Sequence, residues 1–462
     1  MAKPRVLLIA EQANPEFVSV PLEGWSHSQA LAQVADTHLV TQVRNREAIL
    51  KAGLVEGDDF TAIDSEKVAA RMHKLSGILR GGKGKGWTTV MALNAVSYAY
   101  FEKLVWKQFG EAIKNGEYDI VHRLTPLSPT LPSKLAKKCK KAGVPFVWGP
   151  INGGVAWPKE FNAARRAERE WLSYVRDAYK LLPGYRATRQ KAHTIIVGST
   201  ATYEQVPAIY HDKCVYVPEN AIDPGRFVAR RSRTVQPGEP IKLAFVGRLV
   251  PYKGADMLLD AVAQLVREKR VTVTIIGDGP ERGKLEGIIE RENLAEGVNL
   301  AGWVEHSQLQ HTLAEHDVFS FPSIREFGGA VVLEAMAVGL VPVVVEYGGP
   351  GELVTERTGY RVPIGSREKI VEDVRAAITQ IADAPEQLEP MSAAAIRRVE
   401  QLFTWPAKAS QVAQVYAHAA GQTNERPDFG MPLPDVEAQP SSSSSVEAGS
   451  PSEPVGASGG GA

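Results

Sequence analysis

Short apolar segments alternate with amphipathic segments along most of this chain of 462 residues. In the second half the apolar segments are residues 241–246, 271–276, 298–301, 318–321 and 341–345. Each is followed by a stretch with helical periodicity. Short apolar strands that alternate with helices are typical of βαβ units around a buried parallel sheet. The pattern predicts a Rossmann-like domain that binds its ligands at the carboxyl ends of the strands.

The first half has the same alternation in a less regular form. Its strand candidates are residues 5–10, 38–43, 120–122, 146–149 and 194–198, and residues 97–109 are among the helical stretches between them. The turn-rich residues 218–224 are the expected connector. We therefore predict an α/β protein in which two Rossmann-like domains face each other across a cleft.

The predicted boundaries follow from these patterns. Residues 1–220 form the first domain, and residues 221–402 form the second. Residues 403–420 form a last helix that crosses back to the first domain. Residues 421–462 are rich in Pro, Ser and Gly, and a segment of this composition buries too little apolar surface to offset the entropy of ordering it. We expect this tail to be disordered.

Composition narrows the class of protein. Hydrophobic residues make up 44% of the chain and charged residues 23%, which is typical of a soluble globular protein. The formal net charge is zero, so the bulk charge does not indicate nucleic acid as a partner. Cys139 and Cys214 are the two cysteines, which indicates neither a disulfide framework nor a zinc site. The first residues lack a secretory signal, and we expect a cytoplasmic location.

Residues 159–193 carry nine lysines and arginines against four acidic residues, with aromatic and aliphatic positions at roughly helical spacing. A basic amphipathic helix can lie on an anionic membrane surface. The alternative is a helix that packs its apolar side on the first domain and leaves its charges in water. Peripheral contact with the inner membrane face is therefore an expectation for this segment, with the packed helix favoured over it.

Two glutamates flank a Gly-Gly step in the second half. Glu326 precedes Gly328 and Gly329, and Glu334 follows on an apolar helix. An ionised carboxylate on such a helix is costly unless a group outside the helix meets it. The glycines allow a ligand to approach the backbone, and the helix N-terminus that follows them favours an anion. Sugar or ribose hydroxyls together with a phosphate are the expected ligands.

Two cations stand on the loop after the strand 241–246. Arg248 and Lys253 follow Gly247, and in a parallel sheet this loop opens into the ligand crevice. Arginine binds phosphate through two donors, whereas lysine provides a mobile point charge. Together they can hold a diphosphate and stabilise it as a leaving group. Gly279 lies in a second glycine turn, after the strand 271–276.

In this order the motifs resemble glycosyltransferase family 4, the retaining glycosyltransferases of group 1, which have the GT-B fold. The resemblance implies that residues 1–220 are an acceptor-side domain and that residues 221–402 are a nucleotide-sugar-binding domain. The resemblance covers residues 243–359. It implies that Arg248 and Lys253 bind the diphosphate of a nucleotide-sugar donor, with Gly247 and Gly279 beside them. It also implies that Glu326 contacts the donor sugar.

The same resemblance implies the rest of the donor site. The backbone at Phe327, Gly328 and Gly329 would lie along the sugar, Glu334 would bind the ribose, and Trp303 would lie beside the base. The family transfers the sugar with retention of anomeric configuration, by a front-face mechanism and without a metal ion. We therefore expect no cofactor and no metal site.

The first domain matches the family less well. His122 follows a strand in a segment similar to one whose histidine reaches the donor sugar, and it is our fourth catalytic candidate after Arg248, Lys253 and Glu326. The loop with Asn152, Gly153 and Gly154 resembles an acceptor loop of some family members. Each has a structural alternative, namely a histidine satisfied by the backbone and an ordinary turn.

The predicted function is transfer of a sugar from a nucleotide-sugar donor to a glycan, a lipid-linked molecule or a small molecule. Two alternatives use the same fold: a phosphorylase or sugar-phosphate synthase, and a non-catalytic nucleotide-sugar-binding protein. An NAD-dependent oxidoreductase is disfavoured, because no strand near the start is followed by G-x-G-x-x-G.

Overall fold

The structure is a computed structural model. It describes residues 3–66, 87–161, 180, 183–231, 233–236 and 238–436, and the side chains of the helix Trp87–Lys114 from residue 95 onward. Among these residues no helix is both long and apolar enough to cross a bilayer.

The first domain is built on a parallel sheet of seven strands. They are β1 Arg5–Ala10, β2 Asp36–Gln42, β3 Phe60–Ile63, β4 Ile120–Thr125, β5 Phe146–Ile151, β6 Thr194–Val197 and β7 Cys214–Tyr216. Their order across the sheet is β3-β2-β1-β4-β5-β6-β7. The order reverses at β1, next to β4, and a ligand crevice is expected beyond the carboxyl ends of the strands there.

Helices cover both faces of this sheet. They are α1 Val20–Val34, α2 Arg46–Lys51, α3 Trp87–Lys114, α4 Leu135–Ala142, α5 Tyr185–Lys191 and α6 Thr200–Gln205. Phe101 and Phe109 of α3 and Cys139 of α4 pack with Leu7 and Ile9 of β1 on one face. Leu31 of α1 packs with the alternate β1 residues on the other face.

The second domain repeats this plan with six parallel strands. They are β8 Ile241–Val246, β9 Val271–Ile276, β10 Val298–Gly302, β11 Val318–Phe321, β12 Val341–Glu346 and β13 Tyr360–Pro363, in the order β10-β9-β8-β11-β12-β13. Its helices are α7 Ala255–Arg267, α8 Arg282–Arg291, α9 His306–Ala314, α10 Ala330–Val338, α11 Gly349–Leu353, α12 Arg367–Asp383 and α13 Leu388–Leu402. Short 3-10 helices span Val43–Asn45, Lys159–Phe161, Ala208–Lys213, Pro251–Lys253 and Pro385–Gln387.

The last helix, α14 Trp405–Ala419, joins the two domains. It follows a bridge between Ile222 of the connector and Thr404, and it packs along α1. Thr404 caps it by accepting a hydrogen bond from the Ala407 amide. Val412 and Val415 then enter the core on the α1 face of the first sheet.

The predicted α/β architecture of two Rossmann-like domains is confirmed. The expectation of disorder from residue 421 is wrong for residues 421–436, because Arg398 holds this stretch by donating to the carbonyl of Leu433 (2.9 Å), whose side chain is buried. Residues 437–462 lie outside the described residues. So does most of the middle of the basic segment 159–193.

Candidate active site

The loops after β8 and β11 bring two predicted site residues together. These strands are neighbours in the sheet, so their carboxyl ends open at the same edge. The Lys253 ammonium and the Glu326 carboxylate form an ion pair whose side chains are 16% and 19% exposed. Lys253 Nζ also lies 5.1 Å from the ring centroid of Phe321. The pair puts a cation and a carboxylate, each partly shielded from water, at the edge of the sheet that faces the cleft.

Arg248 lies on the same loop, five positions before Lys253. Its side chain is exposed and forms no ion pair with any residue that the structure describes. The loop therefore presents one cation bound to a carboxylate and one whose donors remain open to a ligand.

The glycine turns beneath this loop have a packing role. A Cβ added at Gly279 would overlap the carbonyl oxygen of Leu249, and one at Gly277 would overlap that of Gly247. The Leu249 amide donates to the carbonyl of Asp278 (3.0 Å). Gly247 and Gly279 were predicted to lie beside a diphosphate. In the structure the two turns hold each other, which fixes the backbone that carries Arg248.

Glu334 is held by a chain of hydrogen bonds that the sequence did not reveal. Its Oε1 lies 2.8 Å from His306 Nε2, and the guanidinium of Arg226 meets the other ring nitrogen of His306. A guanidinium only donates, so His306 Nδ1 accepts and Nε2 carries the proton given to Glu334. These hydrogen bonds orient the Glu334 carboxylate and leave its second oxygen available to a ligand.

The Gly-Gly step lies against the connector between the domains. A Cβ at Gly328 would overlap Asn220 Nδ2 and would lie 2.9 Å from Glu219 Oε1. Gly329 precedes α10 with a φ of 67°, a left-handed conformation that favours glycine. The step therefore does more than open the backbone to a ligand, since it also lets the connector touch the loop of Glu326.

Glu219 links this loop to the first domain. The carboxylate is buried, which raises its pKa, and a hydrogen bond from Asn152 opposes that rise. Asn152 Oδ1 also accepts from the Gly154 amide (3.0 Å), and Gln205 donates to the Gly154 carbonyl (2.9 Å). The predicted acceptor loop, residues 152–154, thus lies next to the connector and is braced by α6.

Further contacts join the loops of Glu326 and Tyr347 to residues 155–157 of the first domain. The guanidinium of Arg325 lies 5.0 Å from the ring centroid of Trp157. The Tyr347 hydroxyl donates to the Ala156 carbonyl (3.0 Å). Phe327, next to Glu326, is 42% exposed. The predicted donor-sugar loop and the predicted acceptor side are therefore adjacent.

The structure does not bring His122 to this site. It is fully buried, its Nδ1 lies 2.7 Å from the Tyr416 hydroxyl and its Nε2 lies 2.7 Å from the Gly149 carbonyl oxygen. Burial lowers its pKa to about 4. His122 ties α14 to β5, as the structural alternative stated.

Trp303 directly follows β10, at the outer edge of the second sheet, and is 75% exposed. A large apolar ring in water at the ligand edge of a sheet is available for stacking. The geometry is compatible with the predicted contact to a base.

Residues that support the site were missed because they follow no motif. Arg226 and His306 lie 80 positions apart, and Asn220 meets Gly328 only across the domain boundary. Glu219 in the connector is the residue that could have pointed to them, since a carboxylate buried where two domains meet is costly without a partner.

Solved structures share this architecture. Sucrose-phosphate synthase from Thermosynechococcus elongatus superposes with a TM-score of 0.57 at 17% identity, covering 91% of this chain and all of that one. HepE from Anabaena, solved in complex with UDP, superposes with a TM-score of 0.54 at 15% identity, covering 90% of this chain and 99% of its own. At such identities the likeness establishes the fold, which is the GT-B fold.

Sequence comparison supports the same class of protein. Residues 229–398 match the family described as glycosyl transferases group 1. The resemblance to GT-B glycosyltransferases is thereby confirmed.

Curated relatives match over the same half. Glycogen synthase from Mycobacterium tuberculosis is 32% identical over 226 residues, 47% of this chain and 52% of its own. D-inositol 3-phosphate glycosyltransferase from Kineococcus radiotolerans is 32% identical over 215 residues, 42% of this chain and 48% of its own. The chain spans about half the length of the curated relatives it matches.

Proposed function

We propose that this protein transfers a sugar from a nucleotide-sugar donor to an acceptor hydroxyl, with retention of configuration and without a metal ion. The observation that carries the proposal is the Lys253–Glu326 pair at the cleft edge, with Arg248 open beside it. A cation pair suits the diphosphate, and a carboxylate suits sugar hydroxyls. These roles come from the family resemblance, and the geometry supports them.

Donor binding would exchange partners within this pair. The diphosphate takes Lys253 and Arg248, while Glu326 accepts hydrogen bonds from the hydroxyls of the sugar. Negative charge develops on the diphosphate as the glycosidic bond breaks, and two cations already in place stabilise it without a metal ion. Glu334, directed by His306, accepts from the ribose, and Trp303 stacks on the base.

The chemical step needs no protein nucleophile. The bond from the anomeric carbon to the diphosphate oxygen breaks, and the acceptor oxygen attacks from the same face. This same-face attack preserves the configuration, and the acceptor proton passes to the departing phosphate oxygen. The loops at residues 152–154 and 155–157 lie beside the Glu326 loop, and we assign the acceptor to that side.

Three chemical classes of acceptor are candidates for this reaction. The named relatives include a glycogen synthase, an inositol phosphate glycosyltransferase and a phosphatidylinositol N-acetylglucosaminyltransferase subunit. A glycan, a small molecule and a lipid-linked acceptor therefore each have a precedent. We place the reaction in the cytoplasm, and UDP, found with HepE, is the first nucleotide to test.

A thermal-shift series tests the donor. Wild-type protein is heated with UDP, GDP or ADP and their sugar conjugates, with and without a chelator. A ligand that binds only the native state raises the melting temperature. We expect one nucleotide to stabilise the protein, with or without the chelator. No shift with any nucleotide, or a shift that the chelator abolishes, would contradict the proposal.

The anomeric configuration of the product tests the reaction. Proton NMR of the product formed with the stabilising donor should show the configuration of the donor. Inversion would overturn the front-face step. Transfer only to inorganic phosphate or to a sugar phosphate would favour the phosphorylase or synthase alternative, and stabilisation with no product from any acceptor class would favour the binding protein.

A further inference from the structure

Exposed cations on the first domain lack carboxylate partners, although the whole chain has 53 basic and 53 acidic residues. They lie on α3, α4 and α5 and in the residue before α4, and they form no ion pair with any residue that the structure describes. They are Lys103, Lys107, Lys134, Lys137, Lys140, Lys141, Arg186 and the half-buried Lys191. We call this surface the basic layer.

The acidic residues of these helices do not neutralise it. Residues 134–143 and 183–193 contain no Asp or Glu. In the described side chains of α3, Glu102 is buried and binds the Ser133 hydroxyl and the Lys134 amide, and Glu111 pairs with Lys114 (2.7 Å). The eight cations therefore share one side of the sheet, and these helices contribute no free carboxylate in their described side chains; Asp212, beside Lys213, is an exposed carboxylate at the edge of the layer.

The basic layer is continuous across the three helices. Trp106 of α3 lies between Lys138 (4.8 Å to the ring centroid) and Lys114 (6.0 Å), which joins α3 to α4. Lys213 donates to the carbonyls of Gln190 (2.8 Å) and Ala192 (3.0 Å) at the end of α5. Burial lowers the pKa of Lys213, the negative charge of Asp212 opposes this shift, and the positive charges of Lys140 and Lys191 add to it. The charges of α4 and α5 thus act on one another.

Fold stability does not account for this arrangement. Lys140 and Lys141 occupy the last turn of α4, where cations favour the helix dipole. Lys103, Lys107, Lys137 and Arg186 have no such position, and like charges on one surface repel. Leu135, Ala136 and Cys139 form the buried side of α4, so the lysines between them must point outward.

We propose that the basic layer binds an anionic lipid surface. Seven of its eight cations are lysines, which act as mobile point charges, whereas nucleic-acid recognition favours the planar fork of arginine. Clusters of this size are typical of attraction to acidic headgroups. The helices cover a face of the sheet, and the cleft opens at the strand ends, so docking leaves the cleft open. The surface differs from the middle of residues 159–193 and does not depend on the donor chemistry.

Vesicle co-sedimentation of the full chain tests the proposal. Vesicles of phosphatidylcholine alone are compared with vesicles that also contain phosphatidylglycerol, at low and high salt. We expect binding only to the anionic vesicles and release by salt, because exposed charges are screened. The same chain is also mixed with a double-stranded oligonucleotide. Binding to the oligonucleotide but not to anionic vesicles would overturn the proposal, as would equal binding to both vesicles.

A matched pair of variants locates the surface. One variant carries Lys103→Gln, Lys107→Gln, Lys137→Gln and Lys141→Gln. The control removes four cations from the second domain by Arg267→Gln, Lys269→Gln, Arg291→Gln and Lys369→Gln, each of which has a carboxylate partner. Each lysine near the surface changes partitioning about fivefold, so the first variant should bind about a hundredfold or more weakly. Equal loss in both variants, with both folded by circular dichroism, would refute the assignment.

Discussion

The two domains share one strand–helix plan and differ in how they use charge. In the second domain many surface cations have carboxylate partners, as Arg282 has Glu286 (3.0 Å) and Lys369 has Asp373 (2.7 Å), whereas Arg248 at the site has none among the described residues. In the first domain the cations of the basic layer stand together without ion pairs to described residues, while Glu23 Oε1 and Lys408 of α14 are buried against that domain. Cations that are paired with carboxylates suit a domain that binds one anion at one site, whereas a layer of unpaired cations suits contact with a broad anionic surface.

The difference extends to the site. Lys253, Glu326 and Glu334 all belong to the second domain, and each has a side-chain partner there. The first domain contributes loops that are braced by backbone and amide contacts, such as the one around Asn152. This difference fits the proposal that the second domain binds the donor and that the first domain selects the acceptor.

The largest effect is expected at the ion pair. Lys253→Ala and Glu326→Ala should each lower turnover by about 10²- to 10³-fold, because each removes a charged contact made in the transition state. Turnover is measured with the donor that the thermal-shift series identifies. Lys369→Ala removes a paired cation of the same domain and should leave turnover unchanged. Loss of folded protein in both site variants would show that the pair is structural.

The next effect concerns the buried carboxyl group of Glu23 in the first domain. Burial raises the pKa of Glu23 from 4.5 to about 8, and the positive charge of Lys408 opposes the rise. The folded state thus holds this proton more tightly than the unfolded state, so the contribution to stability is full below about pH 4.5 and is lost as pH rises through about 8.

Glu23→Gln should remove this loss, which is on the order of 5 kcal/mol across the window. Urea unfolding at several pH values, followed by a first-domain signal, measures it. Glu47→Gln, an exposed change in the same domain, should keep the wild-type slope. A Glu23→Gln protein with an unaltered slope would rule out the buried carboxyl as its source.

A smaller effect is expected at Glu334. Glu334→Ala should weaken donor binding about 10- to 100-fold, the range for a hydrogen bond to a charged group. His306→Ala should weaken it less, because His306 only directs the carboxylate. His311→Ala changes an exposed histidine of the same helix and serves as the control. Donor affinity that Glu334→Ala does not change would remove the ribose role.

The smallest effect tests the contact between the domains. The Tyr216 hydroxyl donates to Glu352 of α11 (2.8 Å), which also accepts from the Thr200 hydroxyl (2.5 Å). Tyr216→Phe should cost about 1 kcal/mol in the free energy of unfolding. Tyr203→Phe is the control, because its hydroxyl forms no hydrogen bond with a described residue. An equal loss in the free energy of unfolding in both variants would mean that the Tyr216–Glu352 hydrogen bond does not stabilise the domain interface.

Sequence periodicity predicted the second domain better than the first. Its strands 241–246, 271–276 and 318–321 were placed at their observed bounds, since buried parallel strands read as continuous apolar runs. The strands β3, β7 and β13 were missed because β7 has only three residues and polar residues, Thr61 and Arg361, interrupt the apolar runs of β3 and β13. The packed stretch 421–436 was missed because Arg398, which holds it, lies far away in the chain.

The site shows the same limit. Motif spacing predicted that Glu326 and Lys253 belong to one site, because both follow strands of one sheet. It did not predict the burial of His122, because this burial depends on Tyr416, 294 positions away. Contacts such as Arg226 with His306 arise from tertiary packing, and no local pattern encodes them.

Titration calorimetry with the nucleoside diphosphate that stabilises the protein tests the central claim most directly. Wild type and Arg248→Ala are titrated with a chelator present throughout. We predict that the wild type binds equally well with and without the chelator and that Arg248→Ala binds at least about tenfold more weakly, since it loses a charge-assisted contact to phosphate. Wild-type binding that requires a metal ion, or equal affinity in both proteins, would contradict a metal-independent donor site in the second domain.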